Sequence, residues 1–216
     1  MKNTLKTYKV FYPVGMRILI PVIMLLLIVL HYWFSYICGE ISLLLVSANL
    51  MLLDLVCDFF IFNGISSPGT SYGILRCSPA GKTLLQRAIL LDQLRRLLEI
   101  VLVTAVVAVL SRGSTAESSP SGYLWYALLN ISVIYTGSTL ILTLVRYISS
   151  LMPYVLVGTL LTMIPVGLLF FLSIKGWLYN TWIVLLLTVL FVAAGVFATR
   201  FMLKLVLRNY DRSFLR

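Results

Sequence analysis

Charge is what this chain has least of. Charged residues make up 11% of its 216 positions, and only seven of them are Asp or Glu against 17 Lys and Arg. Ordinary soluble domains carry roughly 25% charged residues. The hydrophobic share of 61% is correspondingly high, and no soluble fold needs so much apolar surface. Histidine occurs once, as His31, which cannot build a metal site and is read as a structural polar group near a helix end. The three cysteines, Cys38, Cys57 and Cys77, are odd in number and show no C-x-x-C spacing. They suggest neither a disulfide framework nor a zinc site and read as buried or cytoplasmic thiols. The Walker A spacing G-x-x-x-x-G-K-[ST] is also missing, so the chain does not hydrolyse ATP itself.

What is present is a succession of apolar runs separated by short polar gaps. Each is close to the ~20 residues that a helix needs to cross a ~30 Å hydrocarbon core. The fold class expected is all-α: a single polytopic transmembrane domain over residues 1–216, with helices at 18–38, 41–62, 89–111, 123–145, 153–174 and 182–203. Gly39-Glu40 reads as a tight hairpin and 113–122 as a flexible turn. Lys2, Lys6, Lys9 and Arg17 before an apolar stretch imitate a secretory signal. However, the run from 18 to 38 exceeds an h-region and ends in His31, Tyr32, Trp33, Phe34 and Tyr36 without a small-x-small site. It reads as an uncleaved first helix.

The formal net charge of +10 points to topology, not to nucleic acid, because the basic residues flank apolar helices. With the N-terminus inside, every Lys and Arg except Arg112 and Lys175 falls on the cytoplasmic side, a strong positive-inside bias. Trp33, Trp125, Trp177 and Trp182 then all reach the outer interface, where amphipathic rings prefer to sit. The expected location is a bacterial plasma membrane, multi-pass, with both termini cytoplasmic and membrane lipids as direct partners.

Two features carry candidate chemistry. Asp54 and Asp58 sit at i and i+4 in the second span and share one helical face. In the third, Asp92, Arg95, Arg96 and Glu99 offer i,i+3 and i,i+4 pairings, and the purely apolar part, 100–111, is too short to cross alone. The charged turn must therefore enter the inner leaflet, where ionisable groups face a bundle interior or a partner. Two readings remain open: a functional one, a proton or ion relay or a charged element that shifts during transport, and a structural lock in which Asp54 or Asp58 pairs with Arg95 or Arg96. Nearby Lys82 and Arg87 favour the lock by neutralising the acids.

The second feature is the long gap 63–88, rich in Gly and Pro; loops of this length in compact proteins are usually functional. Gly69 to Cys77 is long enough for a short helix bearing Tyr72, Ile74, Leu75 and Arg76. Ser78-Pro79 then restarts the chain as a helix, with Ser78 as N-cap and Pro79 at the first helical position. The order Ile74-Leu75-Arg76-Cys77, Ser78-Pro79-Ala80-Gly81-Lys82 and a long helix resembles the coupling segment between helices two and three of type 2 ABC exporter permeases. The helix count, inside termini and basic tail are similar too. The resemblance implies that Tyr72, Leu75, Arg76, Ser78 and Pro79 dock a separate ABC ATPase subunit, present as a homodimer or pair. It also implies a second permease subunit, the same chain or a related one. No cofactor is expected on this chain; ATP and Mg would reside on the partner ATPase. The family often has more structure between helices five and six than Ser173 to Thr181 provides here.

Rival classes are a membrane enzyme, the substrate-binding component of a vitamin importer, and an accessory or immunity membrane protein. The sequence has no Asp-Gly with which a phosphatidyltransferase signature begins, and its single histidine does not suit an intramembrane protease. The importer component would use the outer aromatics, Tyr32, Trp33, Tyr36, Tyr123, Trp125, Tyr126, Trp177, Tyr179 and Trp182, as a pocket; an aromatic belt accounts for them equally.

Overall fold

The computed structural model describes residues 14–38, 41–63, 75, 79–111 and 120–212. Among these the regular structure is entirely helical. The helices are α1 (Val14–Cys38), α2 (Ile41–Asp58), α3 (Gly81–Ser111), α4 (Pro120–Val145), α5 (Leu151–Ile174) and α6 (Thr181–Arg212). A π-helical segment, Phe59–Asn63, prolongs α2, and a 3-10 turn, Trp177–Tyr179, leads from α5 into α6. Five of these helices, α1, α2, α4, α5 and α6, are long and apolar enough to cross a membrane. α3 has 31 residues, but Arg95, Arg96 and Glu99 interrupt its apolar part. The hairpin at Gly39-Glu40, most of the 113–122 turn and most of the short helix expected over 69–77 lie outside the described residues.

Helices outrun the spans that hydropathy predicts. α3 starts at Gly81, well before residue 89, and α6 continues to Arg212, past residue 203. The additional turns are rich in Leu, Lys and Arg, strong helix formers in water as well, so the helix continues where the apolar run stops. The start of α3 also corrects the expected cap. Ala80 O accepts the first helical bond, from Leu84 N at 2.9 Å, and the Thr83 hydroxyl donates to the same carbonyl at 2.8 Å. Pro79 consequently lies in the turn before the helix, not at its first position. The chain doubles back so closely that a Cβ on Gly81 would collide with Leu75 O, which only glycine permits.

At the other end of the bundle, Gly176 adopts the left-handed conformation (φ 67°) that terminates α5. Asn180 then caps α6, its Oδ1 accepting from Trp182 N at 3.1 Å and Ile183 N at 3.4 Å.

α2 and α4 form the centre. Of their apolar spans 61% and 67% is buried, against 22%, 22% and 17% for α1, α5 and α6. The outer three present large apolar side chains outward, among them Ile18, Leu25, Met152, Leu160, Leu186 and Phe197, while Ser47, Asp54, Asp58, Arg96, Asn130 and Arg146 are buried. Apolar outside and polar inside is the distribution that a lipid solvent favours, and the helices fit a multi-pass membrane protein.

Between such helices, close approach and interhelical hydrogen bonds do the selecting. The Ser47 hydroxyl donates to Asn130 Oδ1 at 3.0 Å across α2 and α4. Thr136 donates to Phe191 O at 2.8 Å, and Tyr135 and Thr199 hydroxyls meet at 3.0 Å, across α4 and α6. A Cβ at Gly137 would lie 2.8 Å from Met51 Cε and 3.0 Å from Pro165 Cγ, so this glycine lets α2 and α5 close on α4. Gly137→Val should therefore overpack the centre and lower stability by about 1–3 kcal/mol, read as a lower thermal midpoint in detergent. Gly167→Val, with nothing within 4 Å of its Cβ, should leave that midpoint unchanged.

Candidate functional site

Helical spacing brings Asp54 and Asp58 onto the inner face of α2, 3% and 1% exposed. Asp58 ends the α-helical part, and the π-helical turn begins at the next residue; such bulges are frequent at functional sites. Both Asp58 oxygens are engaged. Arg96 Nη2 of α3 reaches Oδ1 at 2.8 Å, Arg146 Nε reaches Oδ2 at 3.0 Å, and Arg146 Nη2 also donates to Oδ1. The Tyr154 hydroxyl of α5, which donates to Leu55 O at 3.1 Å, stands 3.5 Å from Asp58 Oδ2. One carboxylate thus joins α2, α3, the end of α4 and α5.

Arg96 also donates to Asp92 Oδ2 at 2.5 Å, one turn away on its own helix. Arg95 binds Asp92 Oδ1 at 3.1–3.2 Å and both Glu99 oxygens at 2.7 Å. The Arg95–Glu99 pair is partly exposed, at 13% and 14%, beside an open groove of about 320 Å³ between α1 and α3 lined by Met24, Leu94 and Leu98. Asp54 differs from the other acids. Its Oδ2 has no hydrogen-bond partner, and neither have Arg96 Nε, Arg96 Nη1 and Arg146 Nη1.

All six residues expected of the intramembrane charge network, Asp54, Asp58, Asp92, Arg95, Arg96 and Glu99, thus fall in one cluster, and Asp58 is the acid that pairs with Arg96. The sequence reading missed Arg146. It sits in the turn after α4, where Ile148 N donates to Val145 O at 2.9 Å, and its guanidinium carbon lies 4.8 Å from the Phe62 ring centroid. As a lone cation after an apolar run it reads as a topology flank, and nothing local marks it as 3% exposed. Lys82, expected to neutralise the acids, instead binds Asp211 at 2.7 Å with both side chains half exposed.

Of the expected docking residues, Tyr72, Arg76 and Ser78 lie outside the described residues, and Pro79 is exposed. Leu75 is buried where an exposed contact was expected. It is 7% exposed and packs with Leu85, Ile89, Met202, Val206 and Tyr210, and the Tyr210 hydroxyl donates to its carbonyl at 3.3 Å. Its apolar side chain is more stable inside the bundle than in water.

Cys57 is a buried free thiol and His31 is 3% exposed. Among the described residues no group of three His, Cys, Asp or Glu side chains is placed to hold a metal ion. Gly69-Thr70-Ser71-Tyr72-Gly73 has the G-x-S-x-G spacing of serine hydrolases; it too lies outside the described residues. No family model matches the chain, and no curated protein or solved structure is similar to it.

Removing Asp58 leaves Arg96 and Arg146 buried without their shared counter-charge. Breaking such a buried pair from one side costs about 3–5 kcal/mol. Asp58→Asn should accordingly lower the thermal midpoint sharply. Adding Arg146→Gln to Asp58→Asn should restore part of the loss, the non-additivity expected of partners in contact.

Proposed function

We propose that this chain is the six-span permease subunit of a bacterial plasma-membrane transporter of the type 2 ABC exporter class, driven by separate ATPase subunits. α3 is the sixth span: Asp92 and Arg96 are buried and paired inside the bundle, which lets a charged helix reside in lipid. The distribution of Lys and Arg supports a cytoplasmic side for the termini and the 63–88 loop. Two permease subunits, identical or related, complete the transporter.

The observation that carries this reading is the junction between the loop and two helices. Leu75 is held by Tyr210 of α6 and lies against the first residue of α3, and Lys82 of α3 is tied to Asp211 of α6. A partner pressing on residues 69–82 would therefore move the ends of α3 and α6 together. α3 carries the Arg96 contact to Asp58, so movement begun at the loop reaches the centre of the bundle.

Topology is tested by labelling introduced cysteines from outside in intact cells. Positions 118 and 180 should react, and positions 71 and 213 should not; labelling at 71 rejects the arrangement. Docking is tested with Tyr72→Ala plus Arg76→Ala, which leaves the Leu75 anchor in place. An ATP-hydrolysing subunit should co-purify with the wild type and be lost from the double variant, which remains inserted and monodisperse. Recovery of a large scaffold membrane subunit in place of a directly bound ATPase would favour the vitamin-importer component, and recovery of neither an accessory protein.

A further inference from the structure

The charge network does not balance. Its acids are Asp54, Asp58, Asp92 and Glu99, and its cations are Arg95, Arg96 and Arg146. Each acid except Asp54 has both oxygens bound to arginine: Asp58 by Arg96 and Arg146, Asp92 by Arg95 and Arg96, and Glu99 by Arg95. Asp54 is the remaining carboxyl, 3% exposed, with one oxygen unpartnered.

Its surroundings are well defined. The charged groups facing it are Asp92, Arg95, Arg96 and Glu99 from α3 and, one turn along its own helix, Asp58. Ser138 of α4 lies against it. Toward the tryptophan-bearing end, the Ser47–Asn130 pair lies seven residues or roughly 10 Å along α2, with fully buried Met51 between. An unpaired carboxylate in such a site suffers a large desolvation penalty, which a single proton removes.

We infer that Asp54 is a proton-binding site: its carboxyl takes up a proton as the pH falls to the mildly acidic side of neutral, balancing the network, and releases it as the pH rises. Binding forms the O–H bond on Asp54, with the proton drawn from solvent water, and release reverses it. The ionised carboxylate then competes with Asp58 for Arg96, whose Nε and Nη1 have no partner in the protonated arrangement. Proton occupancy at Asp54 thereby sets how firmly α3 is held to α2. The inference rests on the geometry of the bundle and is independent of any ATPase partner.

Infrared spectroscopy of the purified full-length protein in an ester-free detergent tests it. Only seven Asp and Glu residues are present, so a protonated carboxyl band is assignable. On titration from alkaline to mildly acidic pH the wild type should gain that band, with the small shift to lower frequency expected in heavy water. Asp54→Asn should abolish it while keeping the thermal midpoint, because the amide mimics the neutral acid; Glu99→Gln should retain it. Absence of the band in the wild type, its loss in Glu99→Gln with survival in Asp54→Asn, or collapse of Asp54→Asn at neutral pH would each overturn the assignment.

Discussion

The carboxylate of Asp58 is the constraint from which the arrangement of this bundle follows. Between helices surrounded by lipid the hydrophobic effect does not discriminate, because lipid tails are as apolar as leucine. Packing and interhelical polar contacts must choose the partners. Asp58 makes that choice for α2, α3, the end of α4 and, through Tyr154, α5. Separating α2 from α3 or from the end of α4 would break a buried carboxylate–guanidinium pair, a far larger penalty than a few lost apolar contacts. The network consequently gives specificity more than net stability.

Around this fixed point the bundle is graded. α2 and α4 run in the same direction, and their polar contacts succeed one another along the axis. Ser47 meets Asn130, Ser138 lies against Asp54, and Arg146 binds Asp58. Met51 and Gly137 close the gap between the first two. α6 joins this core through hydroxyl contacts from Thr136 and Tyr135 and then extends beyond it. Its end holds the loop at Leu75 and the start of α3 at Lys82.

What could be read in advance follows from the range of the forces involved. Apolar runs of membrane-spanning length determined the helices, because a bilayer leaves the backbone no other way to satisfy its hydrogen bonds over such a stretch. The i,i+3 and i,i+4 spacing of Asp92, Arg95, Arg96 and Glu99 determined their mutual pairing, since helical geometry alone brings them together.

Tertiary structure alone decided the rest. Arg146 is 88 residues from Asp58 in the chain, and a cation after an apolar run looks the same in sequence whether it flanks the membrane or closes a buried network. Leu75 occupies a loop that reads as surface, but its side chain is covered by α6, which follows more than a hundred residues later. Lys82 lies close enough in sequence to seem a partner for the buried acids, yet the end of α6 presents it with Asp211. In each case the sequence determined which group needed a partner, through its charge or its apolar surface. Which partner it found depended on how the helices packed, a property of contacts between distant segments that local spacing does not encode.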